Sequence, residues 1–469
     1  MSLSFTLLLS TCALLPQQDP SATQPVLSKS DHDALRSKLR DYYGARADAN
    51  DANEKRRAAA AKKETQARDK FLKDWDGRAE KKNALANVAD LQAVFANCFE
   101  FDRQTGSGDL RAMKPKGFPP HDLVLPKKYK ADAPAATVFL LRGQSDKGFV
   151  PARDWYEKTW KSAAAAGDYV FVLPELDESV DFDPPADLSK PDGQATDGKR
   201  REVLLAALGG AMRTVNVDRD RLYLDCGAGS CAYALRLCTY FPHLFAGIVL
   251  RKPTDPGDLQ LDSLTGVPVL LLRSDETKDV SDRLAAALNK LQAGSATVLD
   301  AKGDYPFTES AAEVAEWMGK HSRDVFRSRV VIANNHDSMR RAYWVFMGKA
   351  EPIADVLPAE RPRLEVVADR ASNKITVTSR GVSDFGLWLN DALVDLDKEI
   401  TCVINGKAQP PFKLERSLKR LLDNVFNLRD SSMLFVAEKG FEVPEEKPEK
   451  KVAKDGQDAG AKDGPPSPK

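Results

Sequence analysis

The chain has 469 residues, room for two or three domains, with 42% hydrophobic and 29% charged residues. Its 69 basic and 69 acidic residues cancel, so no global field draws it to nucleic acid or to an anionic membrane surface. Six scattered cysteines form neither a disulfide framework nor a zinc pattern, and five scattered histidines contain no H-x-x-x-H pair, so neither a metal nor a cofactor is expected.

Residues 1–17 hold an apolar run too short to span a bilayer, followed by polar residues, and read as a signal peptide for export to the periplasm or the extracellular space. Lipid anchoring at Cys12 is disfavoured because Thr11, before it, is larger than the residue such a site takes. Residues 18–28 read as a linker. Ser30 and Asp33 fit a capping box, opening a helical extension over 29–100. In it Phe71, Trp75, Leu85, Val88, Leu91 and Phe95 mark apolar faces, while 53–68 has almost no large apolar residue and reads as a solvated helix. This extension is the expected protein-contact region.

Over 118–325, short apolar runs alternate with helical stretches. Strands are expected at 122–126, 136–142, 169–174, 222–224, 246–250, 267–272 and 296–299, and helices at 154–166, 199–215, 281–292 and 309–320. That alternation implies an α/β fold with a mostly parallel sheet. A connector follows at 326–360, then a small β-rich domain at 361–443. Its strands are expected at 363–369, 374–379, 385–389, 400–405 and 433–436, with a turn at Asn405-Gly406 and a helix at 418–426. Residues 444–469 hold five prolines and almost no large apolar residue, and read as a disordered tail.

The most informative segment is 221–235. An apolar strand runs into Cys226, Gly227, Ala228, Gly229 and Ser230, and a helical pattern follows. This is the strand, sharp turn and helix in which a G-x-S-x-G motif presents a catalytic serine, with Ala228 at the centre. An alanine methyl can neither attack a carbonyl nor share a proton with a base.

On these residues the stretch 120–320 resembles the α/β-hydrolase superfamily, in particular secreted bacterial esterases and prolyl-oligopeptidase-like peptidases. The segment Val-Asp-Arg-Asp-Arg-Leu-Tyr-Leu at 217–224 and Pro-His-Leu-Phe-Ala at 242–246 match that group's elbow flanks without gaps and fix the register on Ala228. The residues at 341–344, 389–397 and 403–407 resemble the C-terminal part of such proteins from planctomycete-type bacteria. The resemblance implies an oxyanion loop at Arg142, Gly143 and Gln144, an acid position at Thr277 and a histidine position at Asp304. All three members of the expected triad are therefore substituted. Backbone amides would still serve an oxyanion hole. Arg142, Gly143, Gln144, Gly229 and Tyr305 are the expected binding residues.

Rival readings use other residues. Ser230 is the fallback nucleophile, although a serine there also suits a helix start. Asp275 and Asp279 are displaced acids, and His336, beside Asp337, is a base entering from the domain junction. Their plainer readings are loop carboxylates and an exposed polar loop. Cys226 and Cys231 are expected to pack as buried thiols and His243 to be structural. Three functions stay open: a non-catalytic hydrolase-fold protein that binds a small molecule or a protein partner, an active serine esterase or peptidase using Ser230 or a relocated triad, and a structural scaffold.

Overall fold

The computed structural model describes residues 24–444 except 102–103, 143, 146–147, 176–186, 189, 339 and 355. The expected signal peptide at 1–17, Gly143 and nearly all of the expected C-terminal tail lie outside the described residues. Among the described residues no helix is long and apolar enough to cross a membrane.

The N-terminal part is α1 (Lys29–Asn50), α2 (Glu54–Arg78) and α3 (Val88–Phe95). The cap of α1 is Ser28 with Asp31, two residues before the expected pair: Ser28 Oγ accepts from the Asp31 amide at 3.1 Å and Asp31 accepts from the Ser28 amide at 3.3 Å. The end of the expected linker is docked rather than free. Asp90, fully buried, accepts from the Val26 and Leu27 amides at 2.9 and 3.1 Å and meets His32 Nε2 at 2.7 Å. Over 53–68 α2 is almost wholly exposed, as its composition requires, and it is held by Phe71 and Trp75.

The central body is an eight-stranded sheet: β1 (Leu110–Met113), β2 (His121–Val124), β3 (Ala135–Leu140), β4 (Val170–Pro174), β5 (Val217–Gly227), β6 (Gly247–Arg251), β7 (Val269–Arg273) and β8 (Ala296–Asp300). Their order is β1-β2-β4-β3-β5-β6-β7-β8, with β1 and β2 antiparallel to their neighbours and all others parallel. Parallel strands covered on both faces need continuous apolar runs, and β4 and β6 are buried at every residue. On one face lie α5 (Pro191–Thr214), α6 (Cys231–Tyr240) and α7 (Lys278–Leu291); on the other lie α4 (Ala152–Thr159) and α8 (Ala311–Gly319). This is the α/β sandwich around a mostly parallel sheet that the sequence implies. The helix expected at 154–166 stops at Thr159, with a separate short turn at Ala164–Asp168, and α5 begins eight residues before its expected start.

The expected connector is itself part of the C-terminal sheets. It supplies β9 (Arg329–Ala333), β10 (Arg341–Ala342) and β11 (Val345–Met347). With β12 (Arg363–Asp369), β13 (Lys374–Arg380), β14 (Asp384–Leu389), β15 (Thr401–Ile404), β16 (Lys407–Ala408) and β17 (Ala437–Glu442) they form sheets β9-β12-β13-β15-β16 and β10-β11-β14-β17. The last strand is therefore not the apolar run 433–436, which is buried but irregular. These sheets, α9 (Leu418–Leu428) and α1–α3 share one hydrophobic core. Tyr43 Oη donates to the Leu422 carbonyl at 2.9 Å, and Arg46 pairs with Asp423 at 2.8 Å over the Phe426 ring. The N-terminal extension is thus one wall of the C-terminal core.

Phe71 is fully buried and is one of the two buried residues that anchor α2. Phe71→Ala is expected to cost about 3–5 kcal/mol in urea unfolding, with faster amide exchange along α2, whereas Ala59→Ser, at an exposed position, should stay within about 0.5 kcal/mol of the parent.

Candidate functional site: the elbow at Ala228

β5 ends at Gly227 in extended conformation, a short turn covers Ala228–Ser230, and α6 starts at Cys231. Ala228 has φ +41°. An L-residue in that region costs about 1–2 kcal/mol, so the turn is held by what surrounds it. β5 is hydrogen-bonded on both sides, to β3 and β6, and every residue of α6 is buried. Ser230 has ordinary helical angles, is buried, and donates its hydroxyl to the Gly227 carbonyl at 3.0 Å. The inverted backbone that projects an elbow side chain therefore belongs to Ala228, and Ser230 is a helix-start residue.

Two aromatic side chains press on the elbow. A Cβ on Gly227 would lie 2.5 Å from the Trp155 ring and 2.7 Å from Tyr305 Oη, so only glycine fits there. The Tyr305 ring packs on Trp155 at 5.5 Å and Phe307 at 5.6 Å. Its hydroxyl and Trp155 Nε1 are buried without hydrogen-bond partners. Burial, and then the neighbouring Cys231 and Cys226, push the Tyr305 hydroxyl well above its ordinary pKa, so it stays protonated. Tyr305, one of the expected binding residues, packs over the flank of the elbow. Of the expected oxyanion loop, Arg142 is buried, and the Gln144–Ser145 strand of a short hairpin lies beside the Ala228–Ser230 turn.

Beneath the elbow is an arrangement that reading the sequence missed. Asp225 of β5 and Arg251 of β6 are both fully buried and form a two-pronged ion pair, with Arg251 Nε 2.9 Å and Nη2 3.0 Å from the carboxylate. Trp160 Nε1 donates to the same carboxylate at 2.7 Å, and Arg251 Nη1 donates to the Pro306 carbonyl at 3.0 Å. The signal was present: charged residues inside the apolar runs 222–226 and 247–251 need a partner once buried. Cys226 and Cys231 pack alongside, their sulfurs 4.0 Å apart, and burial followed by the Cys231 thiol raises the Cys226 thiol far above its usual range. Such a thiol is no nucleophile at neutral pH.

The remaining expected residues do not assemble into a catalytic set. Thr277 is buried and closes a capping box, its Oγ1 accepting from the Ser274 amide at 3.1 Å. Asp275, Asp279 and Asp304 are exposed. His336 is buried, against its expected exposure, and packs on Tyr240 at the far end of α6 from Ser230. Ten residues of helix put about 15 Å between those ends, which excludes proton transfer between His336 and Ser230. His336 Nε2 donates to the Gln194 carbonyl at 3.3 Å, and Nδ1 accepts from Ser338 Oγ at 2.9 Å and from the Ser338 amide at 3.2 Å. His243 is buried, with Nε2 accepting from Arg341 at 2.7 Å. Burial, then Arg341 and Arg323, hold its pKa well below the usual value.

No family model and no curated protein matches this sequence. Solved structures do resemble it over a little under half its length. A thermostable esterase matches at 14% identity and TM-score 0.35, over 46% of this chain and 63% of that one. S-formylglutathione hydrolase from Staphylococcus aureus matches at 15% and 0.33, over 46% and 99%. A poly(3-hydroxybutyrate) depolymerase from Bordetella parapertussis matches at 15% and 0.34, over 46% and 92%.

Arg251→Met should destabilise the protein by about 3–5 kcal/mol in urea unfolding, because it strands the Asp225 carboxylate. Asp225→Leu combined with Arg251→Met should recover most of that loss, since no charge then remains buried.

Acid should act through His243. The unfolded imidazole takes a proton near pH 6.5 and the folded one does not, so below that point the unfolded state binds more protons. Stability should therefore fall as pH drops from 7 towards 5, by up to about 1.4 kcal/mol per unit for this group. His243→Gln should flatten the pH dependence measured by denaturant titration.

Proposed function

We propose that this protein is a hydrolase-fold protein that does not carry out serine hydrolysis and acts by binding a small molecule or a protein partner. The observation that supports this reading is Ala228: the residue with the inverted elbow backbone carries only a methyl group. The substituted positions Thr277 and Asp304 agree with it. The first is committed to capping α7, and the second is an exposed loop carboxylate. The run at 1–17 is the basis for placing the protein outside the cytoplasm, and the exposed stretch of α2 is the surface we assign to a partner.

An active serine esterase or peptidase is the second reading, and one contact favours it: the Ser338 hydroxyl on His336 Nδ1. Against it, the other imidazole nitrogen faces a carbonyl rather than a carboxylate, and the Ser338 amide shares the same acceptor, as in a local turn.

A fluorophosphonate probe decides between the two. The full chain is expected to remain unlabelled, and Ala228→Ser should remain unlabelled too, since the histidine position holds Asp304 and the acid position holds Thr277. Stoichiometric labelling that disappears in Ser230→Ala or in Ser338→Ala would overturn the proposal.

A further inference from the structure

Two thiols meet inside the elbow. Cys226 is the next-to-last residue of β5 and Cys231 the first of α6, with only Gly227 and the turn Ala228–Ser230 between them. Both are fully buried, and their sulfurs stand 4.0 Å apart. They turn to the same side: Cys226 Sγ donates to the Val249 carbonyl at 3.4 Å and Cys231 Sγ to the Arg251 carbonyl at 3.5 Å, both on β6. Spacing along the chain does not mark them as a pair; the reversal at Ala228 puts them together. The other described cysteines are out of reach. Cys238 lies seven residues along α6, about 10 Å from Cys231. Cys98 and Cys402 belong to the core shared by the N-terminal helices and the C-terminal sheets.

A disulfide holds its sulfurs about 2.05 Å apart. From 4.0 Å each sulfur has to travel about 1 Å, which a turn about its own Cα–Cβ bond provides. The thiols give up only two weak S–H donations to carbonyls. In the folded protein burial shuts the pair off from an oxidant and holds the Cys226 thiol protonated, so closure belongs to folding. In an unfolded chain cysteine thiols are exposed and ionise near pH 8.5, about the ordinary value. Four intervening residues keep these two close even there.

We propose that Cys226 and Cys231 close a disulfide as the chain folds, making a covalent ring around the elbow turn. One thiolate attacks a sulfur of a small-molecule or oxidoreductase disulfide and expels a thiolate; the second attacks the mixed disulfide and expels the other. The pair gives up two electrons and two protons, and the oxidant's disulfide becomes two thiols. The ring fixes the end of β5 to the start of α6 around the positive φ of Ala228, and burial then keeps reductants out. In the cell the bond needs an oxidising compartment, so its occurrence there rests on the export proposed above. Its formation in a redox buffer does not.

The test is refolding of the full chain in a buffer of reduced and oxidised glutathione, and separately in dithiothreitol. Acid quenching, alkylation in denaturant, trypsin digestion and mass spectrometry follow. Cleavage after Arg221 and Arg236 releases a peptide that holds Cys226 and Cys231 and no other cysteine. From the glutathione buffer that peptide is expected unalkylated and lighter by two hydrogen atoms, with the remaining cysteines alkylated. From dithiothreitol it should carry two alkyl groups. The bridged protein should melt several degrees above the reduced one, whereas Cys226→Ala combined with Cys231→Ala should melt alike in both buffers. Dithiothreitol should open the bond faster in denaturant than in the folded protein, by about tenfold or more. The proposal is overturned if the peptide from the glutathione buffer carries two alkyl groups, if Cys238 takes the place of either partner, or if the bridged protein melts no higher than the reduced one.

Discussion

Two opposite charges sealed from water under the central strand organise this molecule. Taking an isolated carboxylate or guanidinium into a protein interior costs several kcal/mol per ion, and a pair survives there only with close geometry and its remaining donors and acceptors satisfied. Asp225 and Arg251 meet that condition with help from two other parts of the chain: Trp160 after α4, and the carbonyls of Pro306 and Phe307. The pair thus ties β5 and β6 to α4 and to the loop before α8. Holding that loop by its carbonyls is also what sets Tyr305 against Gly227. The ion pair and the aromatic cover of the elbow are one construction.

The elbow above it is a mechanical joint whatever its central side chain does. A strand that must reverse into a helix within three residues needs an inverted backbone angle at one position and little bulk beside it. Ala228 supplies the angle and Gly227 the missing Cβ. The fully buried α6 and the two-sided pairing of β5 restrain the turn, which is why a residue other than glycine can sit there. The elbow geometry persists without a hydroxyl at its centre.

The second organising feature is the shared core of the two ends of the chain. Alone, α1–α3 and the C-terminal sheets would each expose an apolar face; together they bury it. This body meets the sandwich through arginines. Arg323 bridges Asp220 and Asp430, Arg363 reaches Asp262, and Tyr343 donates to the Pro242 carbonyl. Charged contacts at a junction fix orientation more than they add stability.

The sequence by itself determined the local elements and the register of the elbow. Buried parallel strands must be apolar at every position, and a tight turn into a helix must be made of small residues, so both are visible in neighbouring residues. The strand at 437–442 was hidden because it is an edge strand with a mostly polar face, while the apolar run before it is buried without forming a strand. The helical extension was legible as helix but not as a wall of the distant β core, since an apolar stripe reports that it is covered and not by what. Only the tertiary structure decided that Asp225 finds Arg251, that Tyr305 covers Gly227, that His336 is held at the wrong end of α6 for Ser230, and that Tyr43 meets Leu422 across 379 positions of chain. The reason is physical: periodicity along a chain encodes which face is buried, whereas the partner of a buried charge or ring is chosen by topology, which brings together residues that no local pattern connects.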